Sequence, residues 1–354
     1  MGRVPTGRPT SFDIAYLAGV SQPTVSRALR GDRSVSQATR EKIEKIAREL
    51  NYTVDKNASS LRSQRSNTLA LLFFEEPATA QDASDSAGEA GGTINPFFLA
   101  MLGSITRAAA DRGLDLLISF QRMEDNWHVR YQDSHRADGL ILLGYGDYTL
   151  YEARLEQLVA QGTHFVRWGS VGEDNVGATV GSDNFGAGRI AGEHLLDLGR
   201  RRIAFIGQAD EHYPEFAERY RGLCAALADA GIAPDPALQR DALTSEDDGH
   251  AAARSLIAAG AGFDAIFAAS DLIAIGAMRA LAEAGLKVPQ DVAVVGFDDI
   301  PSASMTSPPL TTLKQDMPQA GELLVDTLVA QLDGSAPPHR TLPTRLIVRA
   351  STAG

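Results

Sequence analysis

From residue 68 onward the chain alternates short apolar runs with longer stretches whose apolar residues recur at helical spacing. A chain patterned in this way must bury each run between helical layers, which selects a parallel α/β sheet. Runs at 68–74, 114–120, 139–143 and 165–168 read as the strands of one half, with helices such as 96–111 between them. Runs at 203–206, 265–268 and 292–297 repeat the scheme, and helices at 184–198, 218–230, 272–284 and 318–332 are expected to cover this second set. In such sheets ligands bind at the carboxyl ends of strands, so the residues just after each run are the candidate site.

Those ends are rich in groups suited to a polyhydroxyl ligand. Asn95 and Phe97 follow the first strand after a loop, Trp168 ends the fourth, Asp183 follows a short apolar pair, and Asp271 follows the 265–268 run. Phe297 and Asp298 end a later strand, and Arg219 opens a helix facing the same region. Carboxylate, amide and guanidinium groups make paired hydrogen bonds to neighbouring hydroxyls, while aromatic faces cover the apolar side of a sugar ring. Asp183 and Asp271 equally meet the requirements of helix caps, and Phe97, Phe297 and Trp168 those of core residues.

Ahead of this body, residues 10–52 hold three short helical patterns separated by polar breaks. Ser11 can cap a helix carrying Phe12, Ile14, Leu17 and Ala18; Gly19 supplies a turn, and Ser21 can cap a second helix through Val25 and Leu29. Pro23 falls in that helix's first turn, where it is tolerated. Ser36 can cap a third helix whose Ile43, Ile46, Ala47 and Leu50 form one apolar stripe. This is the pattern of a helix-turn-helix with a bracing helix. Its second helix enters the major groove, which makes Gln22, Pro23, Ser26 and Arg27 the base readers. Ser21, Thr24, Thr39 and Tyr52 are the candidates for phosphate contacts that set register.

Charge supports that division. The whole chain has a formal net charge of −12, yet residues 1–68 carry 12 Lys+Arg against 6 Asp+Glu, so a basic head precedes an acidic body. Residues 53–67 are polar and basic and read as a linker; Ala58 and Leu61 within it are assigned to the DNA surface, with Leu61, its lone large apolar side chain, suited to wedge between base steps in a minor groove. Residues 75–93 are rich in Ala, Gly, Ser and Asp and read as a surface loop. A single cysteine, Cys224, excludes an intrachain disulfide, no apolar stretch approaches the roughly 20 residues of a membrane helix, and no secretory signal pattern is read at residues 1–10, so a cytoplasmic location is expected. No HExxH, GxSxG, Walker or GxGxxG pattern appears, which argues against an enzyme and against a nucleotide cofactor.

The segments IAYLAGVSQPTVSRAL at 14–29, VSQATREKIEKIARELNY at 35–52 and VPQDVAVVGFDDIPSASMTSPPLTTLKQD at 288–316 together resemble the LacI family of sugar-responsive regulators. The resemblance covers essentially the whole chain. It implies a homodimer, operator DNA of two-fold symmetry as partner, a hinge helix that orders on that DNA, and a two-lobed periplasmic-binding-protein-like core that changes shape on binding an effector, a sugar in many members. It assigns base reading to Gln22, Pro23 and Arg27, the minor-groove wedge to Leu61, and the effector cleft to Arg219, Asp271 and Asp298. The expected organisation is a DNA-binding head at 1–52, a hinge at 53–67 and a core at 68–354. The chain departs from the family pattern at Val54 and Asp55, where Pro and Asn are usual, in the insertion before Asn95, and at Arg167 and Trp168, where an acidic residue is frequent.

Overall fold

The computed structural model describes residues 9–29, 31–52, 65–73, 94–121, 125–144 and 147–353. The linker positions Val54, Asp55, Ala58 and Leu61 and the 75–93 insertion lie outside the described residues. The chain divides into two compact units, Met1–Ser66 and Asn67–Gly354.

In the first unit, Thr10 rather than Ser11 caps α1 (Ser11–Ala18). Its side chain accepts from the Asp13 amide, and the Asp13 carboxylate accepts the Thr10 amide at 2.8 Å, so two end donors are satisfied reciprocally. Gly19 ends α1 in the left-handed conformation at φ 71°, and Lys42 Nζ donates to the freed Ala18 carbonyl at 2.8 Å. α2 (Gln22–Leu29) follows, then α3 (Gln37–Glu49), capped by Ser36, which accepts from the Thr39 amide. Ile14, Val25 and Ile43 are fully buried where the three helices meet. Phe12 and Leu17 of the same helix are 71% and 47% exposed. On an 8-residue helix one stripe, Ile14, Ala15 and Ala18, is enough to fill the contact, and the other apolar residues face out.

The second unit holds two six-stranded sheets. One is built from β1 (Thr68–Phe73), β2 (Asp115–Phe120), β3 (Gly139–Leu143), β4 (Phe165–Trp168), β5 (Ala178–Ser182) and β11 (Arg340–Leu342), in the order β11-β5-β4-β3-β1-β2 and parallel throughout. Because successive side chains alternate faces, Leu69, Leu71 and Phe73 pack into the layer holding α4 (Pro96–Asp111). Ala70 and Leu72 pack with Trp127, Tyr131 and the Leu155 and Leu158 side chains of α5 (Tyr148–Ala160). Both faces are covered, which is why β1 reads as a continuous apolar run.

The other sheet contains β6 (Ile203–Ile206), β7 (Gln239–Arg240), β8 (Ala265–Ala268), β9 (Ala293–Asp298), β10 (Thr311–Gln315) and β12 (Thr344–Ile347), in the order β12-β10-β9-β8-β6-β7, with only β12 antiparallel. On it α6 (Asn184–Asp197) pairs with α7 (Pro214–Asp229), and α8 (Glu246–Ala258) pairs with α9 (Asp271–Glu283). The helix expected at 318–332 is present as α10 (Met317–Leu332), but it packs on α4 and the first sheet, not the second. Its buried stripe of Ala320, Leu324, Val325 and Leu328 suits either sheet; periodicity specifies a buried face and not its partner. The chain therefore crosses between lobes three times, after β5, β10 and β11. The crossings are tied together: Ser182 Oγ donates to Gln315 Oε1 at 2.6 Å, and the Asp183 amide donates to the Leu342 carbonyl at 2.8 Å.

Candidate ligand cleft and nucleic-acid interface

The carboxyl end of β9 carries the densest group of expected residues. Arg219 lies in the second turn of α7 rather than opening the helix, because Pro214 starts α7 a turn earlier than the apolar pattern suggests. The guanidinium is 1% exposed, lies 3.5 Å over the Phe297 ring centre, donates from Nε to Asn184 Oδ1 at 2.9 Å, and bonds the Ala269 carbonyl. α7 is held close enough for this by small residues: a Cβ on Gly188 would lie 2.0 Å from the Arg219 carbonyl oxygen. Asp298 stands beside it on a left-handed backbone, φ 121°, which a non-glycine residue adopts only when its surroundings impose it. Burial pushes its carboxyl up to about 7, against the opposing pull of Arg219 and of Gln315, whose Nε2 donates to Asp298 Oδ1 at 2.7 Å.

Gln315 therefore holds Asp298 with its amide nitrogen and the crossing residue Ser182 with its amide oxygen. One side chain links the cleft to the joint between the lobes. Neither Gln315 nor Asn184 was singled out by sequence reasoning; the signal for Gln315 was its place in the 288–316 segment, and for Asn184 its adjacency to Asp183.

Asp271 is fully buried and both its oxygens are engaged, Oδ1 by the Thr312 hydroxyl and Oδ2 by the Ile300 amide at 2.9 Å. Burial and the neighbouring Asp298 charge raise its carboxyl well above the usual range. It braces the turn after β9, and the cap of α9 is Ser270. Asp183 is the cap of α6, accepting from the Gly186 amide at 2.7 Å, and Asn95 is the cap of α4, accepting from the Phe97 amide at 2.9 Å. Phe97 and Trp168 are nearly buried together, ring centres 6.2 Å apart, at the carboxyl end of the first sheet.

Further contacts join the two lobes. Asp147, which caps α5, pairs with His212 at 2.9 Å, the Tyr148 amide donates to the His212 carbonyl at 2.9 Å, and the Ser170 amide donates to Glu215 Oε1 at 2.8 Å. The hydrogen bond to Asp147 raises the His212 imidazole above its ordinary value.

In the first unit, α2 buries Val25 and Ala28 and leaves Pro23 and Arg27 exposed, with Gln22 and Ser26 half-buried. Gln22 Nε2 donates to Ser11 Oγ at 3.2 Å. The hydroxyls of Ser21 and Thr24 bond each other, as do those of Ser36 and Thr39, each at 2.8 Å. Tyr52 is half-buried against the three-helix core.

A three-helix head bearing an exposed polar helix, with a two-lobed α/β core whose strand ends carry a buried arginine and a buried aspartate, defines a DNA-binding protein controlled by a small ligand. Residues 12–55 match the description of bacterial regulatory proteins of the lacI family, and residues 193–352 that of a periplasmic binding protein-like domain. The HTH-type transcriptional regulator CelR of Thermobifida fusca is 33% identical over 352 residues, covering 97% of this chain and 98% of that protein. The ribose operon repressor of Escherichia coli strain K12 is 31% identical over 328 residues, covering 91% and 93%. Among solved structures, the CelR–cellobiose complex superposes with a TM-score of 0.68 at 32% identity, covering 97% of this chain and 100% of that one. The lac repressor dimer bound to operator and the anti-inducer ONPF gives 0.78 at 26% identity, covering 98% and 100%. The chain belongs to the LacI family of bacterial transcriptional regulators. Among the described residues, no helix is long and apolar enough to cross a membrane.

Proposed function

We propose that this protein acts in the cytoplasm as a homodimeric repressor that binds a two-fold-symmetric operator and changes its affinity when a sugar occupies the cleft between the lobes. It binds its ligand and does not transform it. α2 reads bases through Gln22, Pro23, Ser26 and Arg27, while Ser21, Thr24, Thr39 and Tyr52 meet the backbone, Ala58 lies on the DNA surface and Leu61 wedges into the minor groove. Asn95, Phe97, Trp168, Asp183, Arg219, Asp271, Phe297 and Asp298 serve the effector, with Arg219 and Asp298 meeting it directly and Asp271 positioning the turn that carries Asp298.

The observation that carries this reading is Gln315, bonded at once to Asp298 and to the crossing residue Ser182. A ligand that takes Asp298 must compete with or reorient that amide, and so acts on the joint between the lobes. The effector alters operator affinity only by its differential affinity for two core conformations, typically about 1–3 kcal/mol of coupling. The curated and structural relatives named above, a ribose operon repressor and a regulator complexed with cellobiose, favour a sugar.

Selection of bound sites from random duplex DNA by the purified protein, with and without pooled common sugars, tests the proposal. Enrichment of a palindromic site whose recovery changes with one pool is the expected result. A site whose recovery responds to no pool would refute sugar control, and no enriched site at all would refute sequence-specific DNA binding.

A further inference from the structure

Arg219 is engaged by Asn184, the Ala269 carbonyl and the Phe297 ring, and the first sheet supplies a second buried guanidinium with fewer partners. Arg167, at the carboxyl end of β4, is 4% exposed. Its Nη2 donates to the Ser170 carbonyl at 3.2 Å, and its guanidinium carbon lies 5.1 Å from the Tyr148 ring centre. Its buried Nε has no hydrogen-bond partner among the described residues, and no ion pair to Arg167 is found among them. The neighbouring carboxylate, Glu215 of the opposite lobe, accepts from the Ser170 amide and is not within ion-pair distance of Arg167. Both side chains crowd Gly169, where a Cβ would lie 2.5 Å from Arg167 Nη1 and 3.0 Å from Glu215 Oε1.

A buried guanidinium with no direct ion pair and an unsatisfied N–H is costly unless a further acceptor is supplied. The planar edge of a guanidinium matches two oxygens of a carboxylate or phosphate. Trp168, the next residue, packs on Phe97 on the opposite face of β4, and the aromatic ring that Arg167 itself meets is Tyr148. We propose that the effector is an acidic sugar, whose carboxylate or phosphate oxygens are bound by Arg167 while its hydroxyls meet the Arg219–Asp298 side of the cleft. This rests on the reading of a sugar effector and narrows it from neutral to anionic sugars.

The test is calorimetric titration of the full-length protein and its Arg167→Gln variant with D-glucose, D-gluconate and D-glucose 6-phosphate, D-galactose and D-galacturonate, and cellobiose and cellobionate. In at least one set an acid should bind about tenfold or more tightly than its neutral parent. Arg167→Gln should abolish that preference while changing neutral-sugar affinity by less than about threefold. The gluconate and glucose 6-phosphate arms distinguish carboxylate from phosphate. A neutral sugar that binds as tightly as its acid, or a preference that survives Arg167→Gln, overturns the proposal and leaves sugar control standing. If no sugar binds, sugar control fails, and the ligand-free melting temperature decides the role of Arg167. A variant that melts at or above the wild type keeps Arg167 as a ligand group; one that melts several degrees lower assigns it to the fold and overturns the proposal.

Discussion

Asp298 sits where burial favours its neutral form and Arg219 its charged form, with burial winning, since the carboxyl is pushed up to about 7. An unfolded aspartate titrates near ~3.9, so between about pH 4 and 7 the folded protein holds a proton that the unfolded chain has lost. This contribution to stability is present below the unfolded value and is lost as pH rises through the folded one. Asp271, raised in the same direction, adds to the slope. Denaturant unfolding at pH 5 and pH 8 should therefore show the Asp298→Asn variant gaining relative to wild type at the higher pH. An unchanged difference between the two proteins at both pH values would rule out a raised Asp298. The residue itself was legible from its strand-end position and its resemblance to family members. Its left-handed backbone and its bond to Gln315 were not, because both depend on β10 lying beside β9, a pairing that no local pattern encodes.

At the scale of elements, two glycines set what their helices can do for different physical reasons. Gly19 has nothing within 4 Å of a Cβ position, so Gly19→Ala meets only the cost of the left-handed backbone, roughly 1–2 kcal/mol. Melting should show that loss in the head, with effector affinity of the core unchanged. Gly188 is the opposite case: its backbone is ordinary, but a Cβ would strike the Arg219 carbonyl oxygen, so α6 and α7 would have to part. Gly188→Ala should destabilise the core by about 1–3 kcal/mol, as overpacking does, and weaken effector binding by displacing Arg219. Unfolding and titration of the same variant check both parts, and effector affinity retained despite lower stability would uncouple the helix contact from the cleft. The caps divide along the same line. Ser36 caps as its sequence neighbourhood indicates, but Thr10 displaced Ser11 and Ser270 displaced Asp271, because a cap is chosen by backbone geometry at a one-residue scale.

For the molecule as a whole, the charge division separates two tasks. Residues 1–68 carry twice as many basic as acidic residues while the total is −12, so phosphate is attracted to one region and repelled by the other. Removing residues 1–66, the first compact unit, should abolish operator binding in a mobility-shift assay and leave effector affinity within about twofold by calorimetry. A truncated core that still retards operator DNA would show that the head is not the reader.

The sequence by itself determined the kinds of element and their chemical character: apolar runs long enough only for strands, stripes at helical spacing, a glycine turn between two short helices, a basic head. Each follows from backbone and side-chain chemistry over a few neighbouring residues. Only the tertiary structure decided that α10 returns to the first sheet, that Asp271 is consumed in bracing a turn, that Gln315 joins Asp298 to the crossing strands, and that Arg167 is buried with its Nε unpaired among the described residues. These are relations between residues far apart in the chain. They arise because closing two sheets around three crossings brings together groups whose local patterns carry no record of one another.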